Sequence, residues 1–122
     1  MTQLDQAQID ALRSLAVPKG LNIIDGQTVG AASGAELETI SPIDGQPLSV
    51  LADSGAEDIN RAVASARHCF ETGIWANMPP VGRKKILLKW ADLIESHALE
   101  IAVLGARDNG TDIRMALMGE PT

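Results

Sequence analysis

Within GARDNGTDIR, residues 105–114, the run Asp108-Asn109-Gly110 sets a carboxylate, an amide and a glycine side by side where a helical pattern breaks. One carboxylate supported by carbonyl oxygens suits a hard cation. Asn-Gly is equally a helix stop, because glycine takes the left-handed conformation without a steric penalty. The two readings are compatible, since the stop is what would aim Asp108. The other chemistry-bearing residues are less promising. Cys69 follows His68, but neighbours on a helix face different directions. A nucleophilic thiol also needs a nearby base or a helix N-terminus, and Cys69 falls near the end of a helical pattern, where it reads as a core-edge residue. His68 and His97 lack the closely spaced partners of a zinc site. Asp92 and Glu95 lie one turn apart, yet Lys89 one turn earlier makes a charged helix surface the simpler reading than an acid–base couple. Gly26, Gly30 and Gly34 follow a strand pattern but lack the Gly-Lys-Ser/Thr ending and the helix of a phosphate loop. No set of residues here performs a reaction.

The elements that must position these residues follow from periodicity. Leu4, Ala7, Ile9, Ala11, Leu12 and Leu15 predict an amphipathic lead-in helix over residues 3–16, stopped by Pro18 and Gly20. In LNIIDGQTV, two β-favouring runs flank Asp25-Gly26, the dipeptide of a tight hairpin turn. Residues 30–34 form a loop, and ELETISPIDGQPLSVLADS reads as two extended pieces around Pro42-Ile43-Asp44-Gly45. Ser54 with Glu57 three residues later predicts a capping box. The stripe Ile59, Ala62, Val63, Ala66 and Phe70 then marks a helix ending at Gly73. A second helix starts near Pro80 with the stripe Leu87, Trp90, Ala91, Ile94 and Ala98; Arg83, Lys84 and Lys85 early in it read as a solvated face. A third spans residues 98–107, and DIRMALM starts a fourth. Ile59, Val63, Phe70, Leu87, Trp90, Ile94 and Leu104 are expected to face inward.

Composition bounds the function. A chain of 122 residues suits one domain and buries roughly two-thirds of its unfolded surface. A net charge of -6 with two Trp, one Phe and no Tyr argues against nucleic acid or an anionic membrane as partner. The single cysteine fits a reducing, cytoplasmic compartment. Asp5 and Asp10 interrupt what an export signal would need, and no run approaches the roughly 18 apolar residues of a membrane span.

The order of these features resembles the N-terminal segment of the NAD(P)-dependent aldehyde dehydrogenase family. ISPIDGQPLSVL is similar to the family's Asn-Pro-x-x-Gly stretch. SGAEDINRAVASARHCF, the Trp of GIWANMPP, RKKILLKWADLIE and DNG then match Ala-Glu-Asp-Val-x-x-Ala-Val-x-x-Ala, Trp, Arg-x-x-x-Leu-x-x-x-Ala-Asp-x-Ile-Glu and Asp-Asn-Gly-Lys-Pro in turn. The similarity covers residues 21–118. Ser41 stands where the family has Asn, and Thr111-Asp112 where it has Lys-Pro. The resemblance implies an α/β aldehyde dehydrogenase-like fold, of which this stretch supplies an antiparallel strand hairpin followed by three to four helices. Residues 1–20 would be lead-in helix and linker, and residues 21–122 the incomplete N-terminal part of a cofactor-binding domain.

It further implies a monovalent cation held by the backbone carbonyls of Thr39 and Ile40 and by Asp108. The family's glycine loop, catalytic Cys, general-base Glu and oxyanion Asn would all lie beyond the point matching Thr122. The chain by itself is therefore expected neither to bind NAD or NADP nor to turn over, and Cys69 is not the family's nucleophile. Two functions stay open: scaffold portion of an aldehyde-oxidising enzyme, or a free-standing small interaction protein of that ancestry. In the first, the expected partner is the remainder of an aldehyde dehydrogenase chain, or, without it, another copy.

Overall fold

Two segments distant in sequence meet first through a small residue. Helix α1 (Gln6–Ser14) starts where Asp5 accepts the Ala7 N–H at 2.9 Å, an N-cap that satisfies a free first-turn donor. Its Ile9 is buried and packs with α4 (Ala98–Asn109), whose Ala102 and Val103 are also buried. These three are the buried apolar residues among the described ones, residues 5–119 of this computed structural model. At the far end of the pair, Arg107 Nη1 donates to the Leu15 carbonyl at 2.8 Å. Gly110, in the left-handed region at φ 77, stops α4, and α5 (Ile113–Gly119) follows and packs back on it. The expected lead-in helix is present but spans Gln6–Ser14 rather than residues 3–16, of which 3 and 4 lie outside the described residues. The Asn-Gly stop and fourth helix are present too, with α4 running two residues further than its pattern suggested.

The chain divides into two units, one holding the described residues up to Pro18, Glu38–Ser49 and those from Leu93 on, the other Lys19–Leu37 and Val50–Asp92. In the second, strands β1 (Asn22–Ile24) and β2 (Gln27–Val29) pair antiparallel with Ile24 opposite Gln27. Asp25 at φ 54 and Gly26 at φ 70 make the two-residue turn between them, whose doubly positive φ matches strand twist. Strands β3 (Glu36–Ile40) and β4 (Pro47–Ala52) form a second two-stranded sheet. Gly20 bridges Leu51 of β4 through bonds of 2.9 and 2.8 Å.

Helix α2 (Ala56–Thr72) corrects the expected cap. Its N-cap is Gly55 and its N3 residue Asp58, one position later than Ser54 and Glu57. Gly55 has no side chain to offer, so only half of a capping box exists: Asp58 Oδ2 accepts the Gly55 N–H at 3.1 Å. The other carboxylate oxygen accepts the Ala32 N–H at 2.9 Å, so the buried Asp58 anchors the 30–34 loop to the helix start. Ser54 bonds Asn22 instead, at 2.9 Å. Gly73, at φ 72, ends α2 as expected.

Helix α3 (Pro80–Ser96) begins at Pro80 as the sequence requires. Arg83 is not on a solvated face. It is half-buried and folds back so that Nη1 lies 3.2 and 3.1 Å from the Ala76 and Met78 carbonyls, closing the turn between α2 and α3. Lys84 and Lys85 are exposed.

The inward assignments are overturned. Val63 is 61% exposed, Leu87 50% and Trp90 62%, with Ile59, Phe70 and Leu104 exposed as well and Ile94 half-buried. Periodicity determines which side chains share a stripe, not whether another element exists to cover it. Among the described residues, α2 contacts only β1 to any extent, and no large apolar side chain of the second unit is buried.

Candidate cation site

The segments holding Thr39, Ile40 and Asp108 belong to one unit. Thr39 is half-buried in β3 and donates its hydroxyl to the Ser49 carbonyl of β4 at 3.1 Å; Ile40, the last residue of β3, is exposed. The chain then turns at Ser41, one of two buried polar residues among those described. Ser41 N–H donates to the Gln46 carbonyl at 2.9 Å and its carbonyl accepts the Gly45 N–H at 2.8 Å. Its hydroxyl accepts the Ile43 N–H at 3.3 Å. A serine at this position therefore closes its own turn, a local bonding habit of short hydroxyl side chains.

The end of α4 meets that turn. A Cβ on Gly110 would lie 3.3 Å from Pro42 Cγ, so the contact runs through Pro42 and Gly110, two residues from Ile40 and from Asp108. Asn109 closes the corner by accepting the Thr111 N–H at 2.8 Å. Asp108 itself is exposed. The structure thus brings the two segments together through their neighbours. Among the described residues no three His, Cys, Asp or Glu side chains gather to hold a metal. A cation here would rest on one carboxylate and neutral carbonyls, a donor set suited to a single positive charge.

Asp44, in the same turn, has its carboxyl held below the ordinary 3.8 by the Gln46 N–H it accepts, then by Ser41, with Arg107 the smallest contributor.

The other candidates are structural. Cys69, expected at the core edge, is instead exposed in the last turn of α2, where the packed elements leave it uncovered, and its carbonyl accepts the Thr72 hydroxyl at 3.0 Å. His97 closes the α3–α4 corner, with Nδ1 2.8 Å from the Leu93 carbonyl. Asp92 and Glu95 are exposed. Ala32 in the glycine-rich loop already gives its N–H to Asp58, and Gly34 is a left-handed turn residue. Sequence reasoning missed Asp58, Arg83 and the Arg107–Leu15 tie. Asp58 carried a signal, an acid at N3 of a helix opened by glycine. The other two did not, because long side chains reach carbonyls that no spacing rule specifies.

Residues 29–120 match the aldehyde dehydrogenase family. The chain belongs to that family. Among its relatives, the mitochondrial benzaldehyde dehydrogenase of Antirrhinum majus is 49% identical over 88 residues, 72% of this chain and 16% of the relative. The NADP/NAD-dependent aldehyde dehydrogenase PuuC of Escherichia coli is 41% identical over 108 residues, 88% of this chain and 22% of the relative. The crystal structure of gamma-glutamyl-gamma-aminobutyraldehyde dehydrogenase from Burkholderia cenocepacia superposes with a TM-score of 0.89 at 36% identity, covering 96% of this chain and 24% of that one. An indole-3-acetaldehyde dehydrogenase of P. syringae in complex with NAD+ gives 0.88 at 35% identity, covering 97% and 24%. The chain is thus an N-terminal segment of the family's fold, spanning about a fifth of the length of these curated relatives. Among its described residues no helix is long and apolar enough to cross a membrane.

Proposed function

We propose that this chain is the N-terminal scaffold portion of an NAD(P)-dependent aldehyde dehydrogenase that oxidises an aldehyde to a carboxylic acid, and that it has no turnover alone. Residues 21–122 would begin the cofactor-binding domain, with residues 1–20 leading into it. The observation that carries the reading is the uncovered stripe of α2 and α3, where Val63 and Trp90 stand 61% and 62% exposed. Large apolar surface of this kind marks a missing partner. The remainder of an aldehyde dehydrogenase chain is the occupant we assign to it, and another copy of this chain would take its place when that remainder is absent. A cytoplasmic location belongs to the proposal and rests on the single free thiol.

NAD or NADP, when bound to a complete enzyme, accepts hydride from the substrate carbon. The residues of this chain do not fit such a cofactor. The glycine-rich loop lacks the residues that hold phosphate and has its Ala32 N–H taken by Asp58. Oxidation also needs a thiolate for the carbonyl and donors for the oxyanion, and among the described residues the exposed Cys69 thiol has no hydrogen-bond partner. What the chain's residues do is position backbone: Asp58, Arg83 and Ser41 fix turns. We assign Thr39, Ile40 and Asp108 to a monovalent cation that would clamp β3 to the end of α4.

A chimera tests the scaffold role. Residues 29–120, which match the family, replace the corresponding segment of the E. coli relative, and NADH absorbance is followed with short aliphatic aldehydes. The chimera should turn over, while the 122-residue chain should give no turnover and no heat with NAD. A folded but inactive chimera would count against the scaffold role. Turnover by the chain alone, lost on Cys69→Ser, would show that the nucleophile is here after all.

A further inference from the structure

We propose that the first unit binds a small amphiphilic monocarboxylate in the cavity between α1, the 41–46 turn and the α4–α5 corner, with Arg13 and Arg107 as its anion-binding pair. The cavity measures about 290 Å³, and Ile9, Ile43, Val103 and Ile113 wall it alongside the two arginines. Apolar walls with a few charged or polar side chains are the usual make-up of a ligand site. Charge is available there. Arg107 donates one N–H to the neutral Leu15 carbonyl, which fixes a guanidinium with five donors in all, and its charge acts only weakly on Asp44. Among the described residues neither Arg13 nor Arg107 has a carboxylate within ion-pair distance. Asp10 accepts from Gln6 Nε2 at 2.9 Å and Asp44 from the Gln46 N–H at 3.1 Å, and neither acid lines the cavity.

Size and lining select the ligand. The space of about 290 Å³ is that of a small-molecule site. A dinucleotide is too large to be enclosed by it. Inorganic phosphate or acetate would leave the four-residue apolar wall wet. A carboxylate on a ring or a short alkyl chain meets both halves: a bidentate guanidinium contact for the head and burial for the tail. The cavity shares no residue with the cation assignment or with the apolar faces of α2 and α3.

The test uses the 122-residue chain with isoleucine methyl groups labelled for NMR, titrated with sodium benzoate, and with benzyl alcohol and sodium acetate as probes lacking the charge or the ring. Benzoate should shift Ile9, Ile43 and Ile113 saturably and leave Ile59 and Ile86, on the exposed helix faces, in place. Benzyl alcohol should bind at least about tenfold more weakly for want of the charge-assisted contact, and acetate at least about tenfold more weakly for want of the buried ring. Arg13→Gln, at an exposed position, should raise the benzoate Kd by about tenfold, and Arg107→Lys should weaken binding less, since the charge remains. Uniform shifts of all isoleucines, equal binding of benzyl alcohol, or an unchanged Kd in a folded Arg13→Gln chain would each overturn the proposal.

Discussion

Asp58 shows how one side chain organises a stretch that its neighbours in sequence do not. It is buried and accepts two backbone N–H groups, from Ala32 and Gly55. Asp58→Ala leaves both donors unsatisfied and should cost about 1–3 kcal/mol, read as a lower urea midpoint; Asp58→Asn, which keeps one acceptor, should lose less. Asp44 contributes to the pH dependence. Its folded pKa lies below its ordinary 3.8 because the Gln46 N–H and then Ser41 favour the ionised form. The stability it adds is therefore complete above that value and lost as pH falls through the lower folded one. In a carboxyl NMR titration Asp44 should titrate below 3.8, and Asp44→Asn should flatten that part of the acid limb of unfolding; a midpoint at or above 3.8 would contradict the turn geometry. If Asp108 holds a cation, potassium or sodium should raise the Tm relative to tetramethylammonium, and Asp108→Asn should abolish the difference. The position of Asp108 was legible in the sequence, because Asn109-Gly110 is a local stop signal. The cap was misread by one residue. Ser54 and Glu57 satisfy the same spacing as Gly55 and Asp58, and only the tertiary bond to Ala32 separates the two registers.

Among the elements, α4 holds two glycines that should respond in opposite ways. Gly105 lies inside the helix, and a Cβ there would meet nothing within 4 Å. Gly105→Ala should stabilise by about 0.5–1 kcal/mol, the helical cost of glycine. Gly110 sits at φ 77 with Pro42 Cγ 3.3 Å from its would-be Cβ. Gly110→Ala should destabilise by about 1–2 kcal/mol from the left-handed backbone alone, and further if Pro42 cannot yield. Paired thermal melts decide it, and equal shifts of one sign would show that α4 does not end as described. The turns were readable for the same reason these glycines are: Asp25-Gly26, Gly45, Gly73 and Gly110 all need positive φ, a requirement that one or two residues express without outside help. The helical stripes were readable only in part. That Ile59, Val63 and Phe70 share a face follows from a period of 3.6, but their exposure depends on what lies opposite. The burial of Ile9 against Ala102 and Val103 was equally hidden, because it joins residues about ninety positions apart.

For the molecule as a whole, the balance between apolar surface and charge decides its behaviour in solution. Fully burying a Val, Leu or Phe side chain is worth about 1.5–3 kcal/mol. With Val63, Phe70, Leu87 and Trp90 each half or more exposed, roughly 1 kcal/mol per side chain remains to be gained from any surface that covers them. The opposing force is weak. A net charge of -6 spread over the surface is screened beyond about 8 Å at physiological ionic strength. Copies can therefore approach closely enough for the apolar faces to meet. The 122-residue chain should elute from a sizing column earlier than a 12.9 kDa monomer, with a concentration-dependent position, and should enhance the fluorescence of a hydrophobic dye. Val63→Glu combined with Leu87→Glu places charge in the middle of both stripes. It should return the elution to the monomer position and reduce the dye signal without changing helix content by circular dichroism, since both positions are exposed already. The same pair of substitutions in the chimera with the E. coli relative should instead abolish turnover, because there the stripes would be covered and two charges would be buried without partners. A chain that runs as a sharp monomer, melts cooperatively and binds no dye would mean that these faces need no partner, and the free-standing interaction protein would then be the better account.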